Sequence, residues 1–216
     1  MANRINIPFI ASLDEHNLPA AATTLESEGV HASIDNANWA GKFPYRPLTA
    51  VNCGHNGKYI ILDFFVRCNY LKATNYTNNS PVHEDSCIEF FVSPGCDNHY
   101  WNFELNCIGT INASHRSERH NPTRLTDSEL DRVLRYSSCG TRPFNELEGL
   151  FTWNVVVAVP LDLIGVTYEG KPVTMRANFN KCASGTSQPH FLSWNPIESE
   201  KPDFHRPDCF GEIVLE

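Results

Sequence analysis

Residues 58–68 read KYIILDFFVRC, and this stretch says most about the fold of the chain. Apolar side chains occupy both alternating sets of positions, with Ile60 and Leu62 on one side and Ile61 and Phe65 on the other. A strand that is apolar on both faces is covered on both faces, so it lies inside a layered structure. The stretch therefore predicts a central β-strand.

Further stretches with period-two alternation follow along the chain, at residues 86–93, 100–108, 150–159, 173–182 and 209–216. Turns rich in Gly, Pro and Asn, such as NYTNNSP and SPGCDN, separate them. Thr126 and Glu129 form a capping box that predicts a short helix, and the residues after it, RVLRYSSC, fit a strand equally well. The pattern predicts an all-β fold, a two-layer antiparallel β-sandwich of the immunoglobulin-like or jelly-roll kind with at most one short helix, in which residues 1–216 form a single domain.

The charge of the chain restricts the partners that we expect. The formal net charge is −8 and the sequence pI is about 5.6. Nucleic acid and anionic membrane surfaces would be repelled on average, whereas neutral sugars would not. The sequence shows no apolar stretch of bilayer-spanning length and no signal peptide, so we expect no membrane insertion, and either a cytoplasmic protein or one exported with a leader that this sequence lacks. Its eight cysteines include no CxxC pair, which favours mostly free thiols.

Side-chain alternation sends a set of polar residues to the face opposite the core. If Ile88 and Phe90 point inward, Glu89 points to the opposite face. The same reasoning places other polar side chains on an outer face, namely those of Glu104, Asn106, Arg176, Asn178 and Asn180. If their strands are neighbours, these groups form one surface that offers donors and acceptors to sugar hydroxyls. An ordinary solvated face of an antiparallel sheet gives the same pattern, and this alternative stays open.

The usual catalytic signatures, a Walker loop, GxGxxG, HExxH and GxSxG, do not occur. Glu89 and Glu104 leave a glycoside hydrolase open, because such enzymes use two carboxyl groups about 5–5.5 Å or about 6.5–9.5 Å apart. A protein–protein adhesion sandwich is the other alternative, and acceptor-type sequons at Asn75, Asn78 and Asn112 give it weak support.

Metal-ligand patterns are weak. His115 and His120 flank the loop HRSERH without a companion Cys or Asp motif, so we interpret them as ordinary histidines rather than zinc ligands. Glu84, Asp85 and Asp97 lie in loops and could hold a structural calcium ion, although they do not form an EF-hand. We otherwise predict no cofactor.

Five motifs, in their order along the chain, resemble the family 9 carbohydrate-binding modules: SPVHEDSCIEFFVSP, YWNFELNCIGTI, MRANFNKC, FLSWNP and FHRPDCFGEIVLE. The similarity extends from SIDNANW, near residue 34, to the last strand. It implies a sandwich that binds glycans and catalyses nothing itself. The hydrolase activity associated with such modules belongs to a neighbouring catalytic domain.

The resemblance also implies roles for individual residues. In the family the sugar lies between two tryptophans, and polar side chains of adjoining strands bond its hydroxyls. Three positions match contacting residues of the family, namely Glu89, Asn106 and Asn178. Glu104 stands where the family can have arginine, Phe204 matches the second tryptophan, and the first falls at Val82 or His83, where no large aromatic residue occurs.

Phe204 lies in a Pro-rich loop, where we expect its ring to be exposed and to stack on the C–H face of a sugar. On that expectation, Phe204→Ala abolishes glycan binding and leaves thermal stability nearly unchanged.

Overall fold

The structure, a computed structural model, describes residues 2–95 and 99–216. The described strands are β1 (Arg4–Ile7), β2 (Val30–Ser33), β3 (Leu48–His55), β4 (Tyr59–Ala73), β5 (Cys87–Ser93), β6 (Tyr100–Asn106), β7 (Ile111–Arg116), β8 (Pro122–Arg124), β9 (Leu134–Ser137), β10 (Phe144–Pro160), β11 (Val173–Cys182), β12 (Phe191–Ser193) and β13 (Gly211–Leu215). The described α-helices are α1 (Leu18–Glu28) and α2 (Asp127–Leu130).

The strands form two sheets. The front sheet has eight strands in the order β1-β13-β11-β5-β6-β7-β8, with β12 paired to β11. The back sheet has five strands in the order β2-β3-β4-β10-β9. Neighbouring strands run antiparallel except β1 and β13, which are parallel. The predicted two-layer β-sandwich is confirmed, and β4 is the central strand that residues 58–68 predicted.

The main core lies between the two sheets. Leu62 and Phe64 of β4 point toward the front sheet and belong to one buried cluster with Phe90 and Phe179. The ring centroids of Phe64 and Phe179 are 6.1 Å apart, and those of Phe90 and Phe179 are 5.5 Å apart. Each of these side chains is fully buried. Since aromatic pairs at this separation add to the free energy gained by burial, this contact fixes the two layers together.

Helix α1 covers the second apolar face of β4, and the sequence analysis missed it. Ile61 of β4 packs in a separate buried cluster with Leu18, Ala21 and Leu25 of α1. The helix begins after Asn17, whose side chain accepts a hydrogen bond from the backbone of the first turn. The spacing of the three buried positions is helical, so the signal was present in the sequence.

The capping box is confirmed as a short helix, α2, in which the side chain of Thr126 accepts from the backbone of Glu129. The residues after it form strand β9, which settles the alternative left open for RVLRYSSC. Among the described residues, no helix is long and apolar enough to cross a membrane.

A covering segment, residues 195–210, lies over the outer face of the front sheet. Ile197, Phe204 and Phe210 of this segment pack with Phe91 of β5 and with Trp39 in a third buried cluster. The covering segment therefore closes part of the polar face that alternation predicted. A ligand can reach the polar face only where the covering segment does not lie over it.

The seven described cysteines are free thiols, five of them buried. Cys96 lies outside the described residues. The expectation of free thiols is met at every described position.

Candidate functional site

A row of polar side chains crosses four neighbouring strands of the front sheet. Asn180 of β11 lies opposite Glu89 of β5, Glu89 lies opposite Glu104 of β6, and Glu104 lies opposite Asn112 of β7. Glu89 is 3% exposed and Glu104 is 5% exposed. The strands are neighbours, as the predicted polar surface required.

A cleft of about 260 Å³ opens above this row, and we call it the Glu89 cleft. Glu89, Glu104 and Cys182 contribute its sheet-borne lining. The other lining residues come from loops and from β12, and they are His83, Arg119, Phe191, Pro202, Asp203, Phe204 and His205. The cleft brings together four of the predicted site residues: His83, Glu89, Glu104 and Phe204.

Glu89 keeps one carboxyl oxygen without a partner. Its Oε1 accepts from the Cys182 thiol at 3.1 Å, whereas its Oε2 is buried and has no hydrogen-bond partner among the described residues. Burial raises the pKa of Glu89 well above its usual value, and the Cys182 thiol and the Glu104 carboxyl add to the shift by disfavouring a negative charge. A buried polar atom without a partner is costly, so a hydroxyl group of a ligand that reached Oε2 would satisfy it.

Glu104, in contrast, is held on both sides. Its Oε1 accepts from Asn102 Nδ2 at 3.0 Å, and its Oε2 accepts from Asn112 Nδ2 at 3.0 Å. Burial is the largest influence on its pKa, which is raised. The two amides fix the direction of this carboxyl group, so Glu104 is a preorganised acceptor rather than a mobile one.

Phe204 forms part of the cleft wall, but it is 8% exposed, so the expectation of an exposed aromatic ring is wrong. Its ring centroid lies 6.0 Å from that of Trp39 and 6.2 Å from that of Phe191. Trp39 is itself tethered to the covering segment, because its indole N–H donates to the carbonyl of Ser199 at 2.9 Å. The covering segment folds back onto the sheet and buries most of Phe204, a long-range effect that local composition does not reveal.

The first tryptophan of the resembled family corresponds to either Val82 or His83, and the two side chains point in different directions. Val82 is fully buried in the third cluster, and His83 is exposed at the rim of the cleft. The 3-10 turn Val82–Glu84 turns the two side chains in these different directions. The cleft therefore has a polar side chain where the family has an aromatic one.

Charged residues that the sequence analysis did not select complete the rim. Arg119 Nε lies 3.2 Å from Asp203 Oδ1, and this ion pair joins the loop after β7 to the covering segment. The backbone N–H of His205 donates to the same Asp203 oxygen at 3.0 Å. In the sequence, the density of charged residues in HRSERH was the one sign that this loop could belong to a binding site. The sequence does not show that the loop lies next to Asp203, because this contact forms only in the folded chain.

Asn106 and Asn178 lie on the predicted face, but neither lines the cleft. Both are fully buried. Asn178 pairs with the backbone of Asn195 in the covering segment, accepting at 2.9 Å and donating at 3.1 Å. Asn106 donates to Asp85 at 2.9 Å and accepts from the backbone of Thr110 at 3.0 Å. This placement assigns both amides a structural role and gives the predicted sugar contact no support.

Arg176 also lies outside the cleft. It pairs in register with Ser93 of β5 and Glu212 of β13, and its Nη1 donates to the carbonyl of Pro207 at 3.3 Å. Arg176 thus contacts the covering segment at a point outside the Glu89 cleft. The predicted contact between Arg176 and a sugar stays a prediction.

The three loop carboxylates that we predicted as possible calcium ligands do not share one environment. Asp85 is fully buried, and its oxygens accept from the backbone N–H groups of Thr74 at 3.0 Å and Asn75 at 2.9 Å. Glu84 is exposed, and Asp97 lies outside the described residues. A structural calcium ion stays a prediction.

His205 provides a test of the cleft at low pH. Burial, followed by the positive charges of Arg116 and Arg119, lowers its pKa to about 3. The folded state therefore keeps His205 neutral, whereas the unfolded chain takes up a proton below about pH 6.5. We expect the thermal stability contributed by neutral His205 to be lost as the pH falls from about 6.5 toward 3. Melting temperatures measured across this range should fall less steeply for His205→Gln than for the wild type.

The control for this experiment is His16→Gln, since His16 is exposed. It should follow the wild-type profile. Parallel profiles for wild type and His205→Gln would contradict the assignment of a neutral, half-buried imidazole at this position.

Residues 20–215 match the family described as Carbohydrate-binding family 9. A structure described as that of a candidate carbohydrate-binding protein from Bacteroides uniformis is 30% identical, covers 100% of both chains and superposes with a TM-score of 0.92. No curated protein sequence matches the chain.

Two further structures share the fold at low identity. Both are of a carbohydrate-binding module of family 9 from Caldicellulosiruptor kristjanssonii. The complex with glucose is 13% identical, with a TM-score of 0.57 over 99% of this chain and 96% of that one. The complex with cellotriose is 12% identical, with a TM-score of 0.54 over 99% and 94%.

Proposed function

The chain belongs to carbohydrate-binding family 9, and from this premise we propose that it binds a poly- or oligosaccharide in the Glu89 cleft without cleaving it. The observation that carries the proposal is the buried Oε2 atom of Glu89, which lacks a partner among the described residues and belongs to a cleft-lining side chain. Sugar hydroxyls are donors and acceptors at once, so they suit a carboxyl group of either protonation state.

The rim supplies the remaining contacts. His83 and Arg119 offer donors, Glu104 offers a fixed acceptor, and Phe204 with Phe191 forms an apolar wall for the C–H face of a sugar ring. The volume of about 260 Å³ falls below the range of about 300–1,000 Å³ that is usual for drug-sized ligands. We therefore propose that the cleft takes a single sugar residue at the end of a glycan.

Any hydrolase activity associated with this chain is proposed to belong to a neighbouring or partner domain. One observation favours the hydrolase alternative, because a raised pKa at Glu89 is what a general acid requires. However, both oxygens of Glu104 are already engaged by Asn102 and Asn112, which does not suit a nucleophile. Turnover of chromogenic glycosides by the purified chain, lost in Glu89→Gln, would establish that alternative instead.

A glycan array probed with the full chain tests the proposal. We expect binding to a group of glycans that share one terminal sugar. Competition with the free monosaccharide should be nearly as effective as competition with the oligosaccharide, because the cleft has room for one ring. A blank array together with a specific protein partner in a pull-down would overturn the proposal in favour of the adhesion alternative.

A further inference from the structure

Two thiols and a carboxyl group converge beneath the Glu89 cleft. Cys182 of β11 lies directly opposite Cys87 of β5, and Glu89 follows two positions along β5 on the same face. The two Sγ atoms and a Glu89 carboxyl oxygen all lie within 4.8 Å of one another, and all three residues are buried. Within residues 2–95 and 99–216, no other three His, Cys, Asp or Glu side chains converge in this way.

These donors match the ligand preferences of zinc. Zinc is bound by thiolates at about 2.3 Å and by carboxylates at about 2.0–2.2 Å in tetrahedral geometry, which places neighbouring ligand atoms about 3.3–3.8 Å apart. The Cys182 Sγ atom already lies 3.1 Å from Glu89 Oε1. Since all three donor atoms lie within 4.8 Å of one another, they are close enough to reach a single ion. Coordination through Oε1 of Glu89 would leave its Oε2 atom, which has no partner among the described residues, for a ligand hydroxyl.

Lys181, which follows Asn180 and precedes Cys182 in β11, lies next to the cluster and is fully buried. Alternation along β11 turns its side chain toward the core, away from the face that carries Glu89 and Cys182. There its Nζ bonds the Cys182 carbonyl at 2.6 Å and His190 Nε2 at 2.8 Å. Thiols and carboxyl groups bind metal ions in their deprotonated forms, and the ion itself supplies the compensating positive charge.

We propose that Cys87, Glu89 and Cys182 form a binding site for a thiophilic divalent cation such as Zn²⁺ at the floor of the cleft. Glu89 and Cys182 line the cleft, so the fourth coordination position faces it and accepts water or a ligand hydroxyl. The site does not depend on the proposed glycan function, and metal binding is measurable without a sugar.

Titration of the reduced, chelator-treated full chain with Zn²⁺ and with Co²⁺ tests this site. We expect one ion per chain and, for Co²⁺, a thiolate-to-cobalt charge-transfer absorption. Replacement of a direct ligand, in Cys182→Ser or Cys87→Ser, should weaken binding by at least about 100-fold, because even outer-sphere changes cost about 10- to 100-fold. The matched control is Cys209→Ser, since Cys209 is a half-buried thiol outside the cluster, and it should bind like the wild type.

Binding that is absent, or equally strong in Cys182→Ser and wild type, would overturn the proposal. A cobalt complex without a thiolate charge-transfer band would overturn it as well. Circular dichroism and melting temperature verify that each variant folds, and the two serine variants provide independent tests if one does not. Glycan binding is then measured with chelator and with added Zn²⁺, so that a failure of the metal site and a failure of the sugar site give different results.

Discussion

Glu89→Gln is expected to weaken glycan binding by about 10- to 100-fold and to leave the fold intact. A buried polar group left without its partner costs about 1–3 kcal/mol, and about 1.4 kcal/mol corresponds to a factor of ten in affinity. The amide keeps the shape of the side chain but replaces one acceptor oxygen with a nitrogen that cannot accept. Because burial penalises the charged carboxylate, removal of the ionisable group should leave the melting temperature unchanged or higher.

Isothermal titration calorimetry with a glycan identified on the array measures this effect. Glu212→Gln is the matched control, because Glu212 lies on β13 of the same sheet, outside the cleft, and forms an exposed ion pair with Arg4 at 2.9 Å. It should bind like the wild type. If Glu89→Gln retained wild-type affinity, the Glu89 cleft would not be the sugar site.

Phe204→Ala is expected to lower both glycan affinity and stability. Phe204 packs against Trp39 and Phe191 in a buried cluster, so truncation leaves a cavity. Phe→Ala substitutions in cores cost about 3–5 kcal/mol, and we expect a loss near the lower end because Phe204 borders the cleft. Chemical denaturation gives the free energy of unfolding for comparison with wild type.

A second substitution separates the two roles of Phe204. Phe204→Leu keeps most of the apolar volume, so it should cost less than about 1.5 kcal/mol of stability. It removes the flat ring, however, and with it the surface for a sugar's C–H face. Phe65→Leu, on the outer face of the back sheet, is the matched control for binding. Unchanged affinity in Phe204→Leu would mean that Phe204 serves the buried cluster alone.

Glu89 and Glu104 illustrate how far alternation along a strand can predict a site. The inward positions of Ile88 and Phe90 were enough to place Glu89 on the opposite face, and the same reasoning placed Glu104. Both predictions depend only on the geometry of a single strand, in which successive side chains point to opposite faces. That the two strands are neighbours was an assumption, and the sheet order confirms it.

The same reasoning could not show which outward residues reach solvent. Asn178 occupies the predicted face, yet the covering segment closes over it through Asn195. Phe204 was expected to be exposed because its neighbours are Pro and charged residues, and it is buried by contacts with Trp39, far away along the chain. Alternation gives the direction of a side chain but not what lies above it.

The sequence by itself determined the two-layer sandwich, the central position of β4, the capping box before α2 and the polar row that contains Glu89, because each follows from local periodicity or from a motif of a few residues. Only the tertiary structure decided that Glu89 lines a cleft while Asn106 and Asn178 do not, that Arg119 meets Asp203, and that Cys87 and Cys182 converge on Glu89. These features depend on contacts between residues distant in the chain. Such contacts form when loops close over a sheet, and no local pattern encodes which loop closes over which strand.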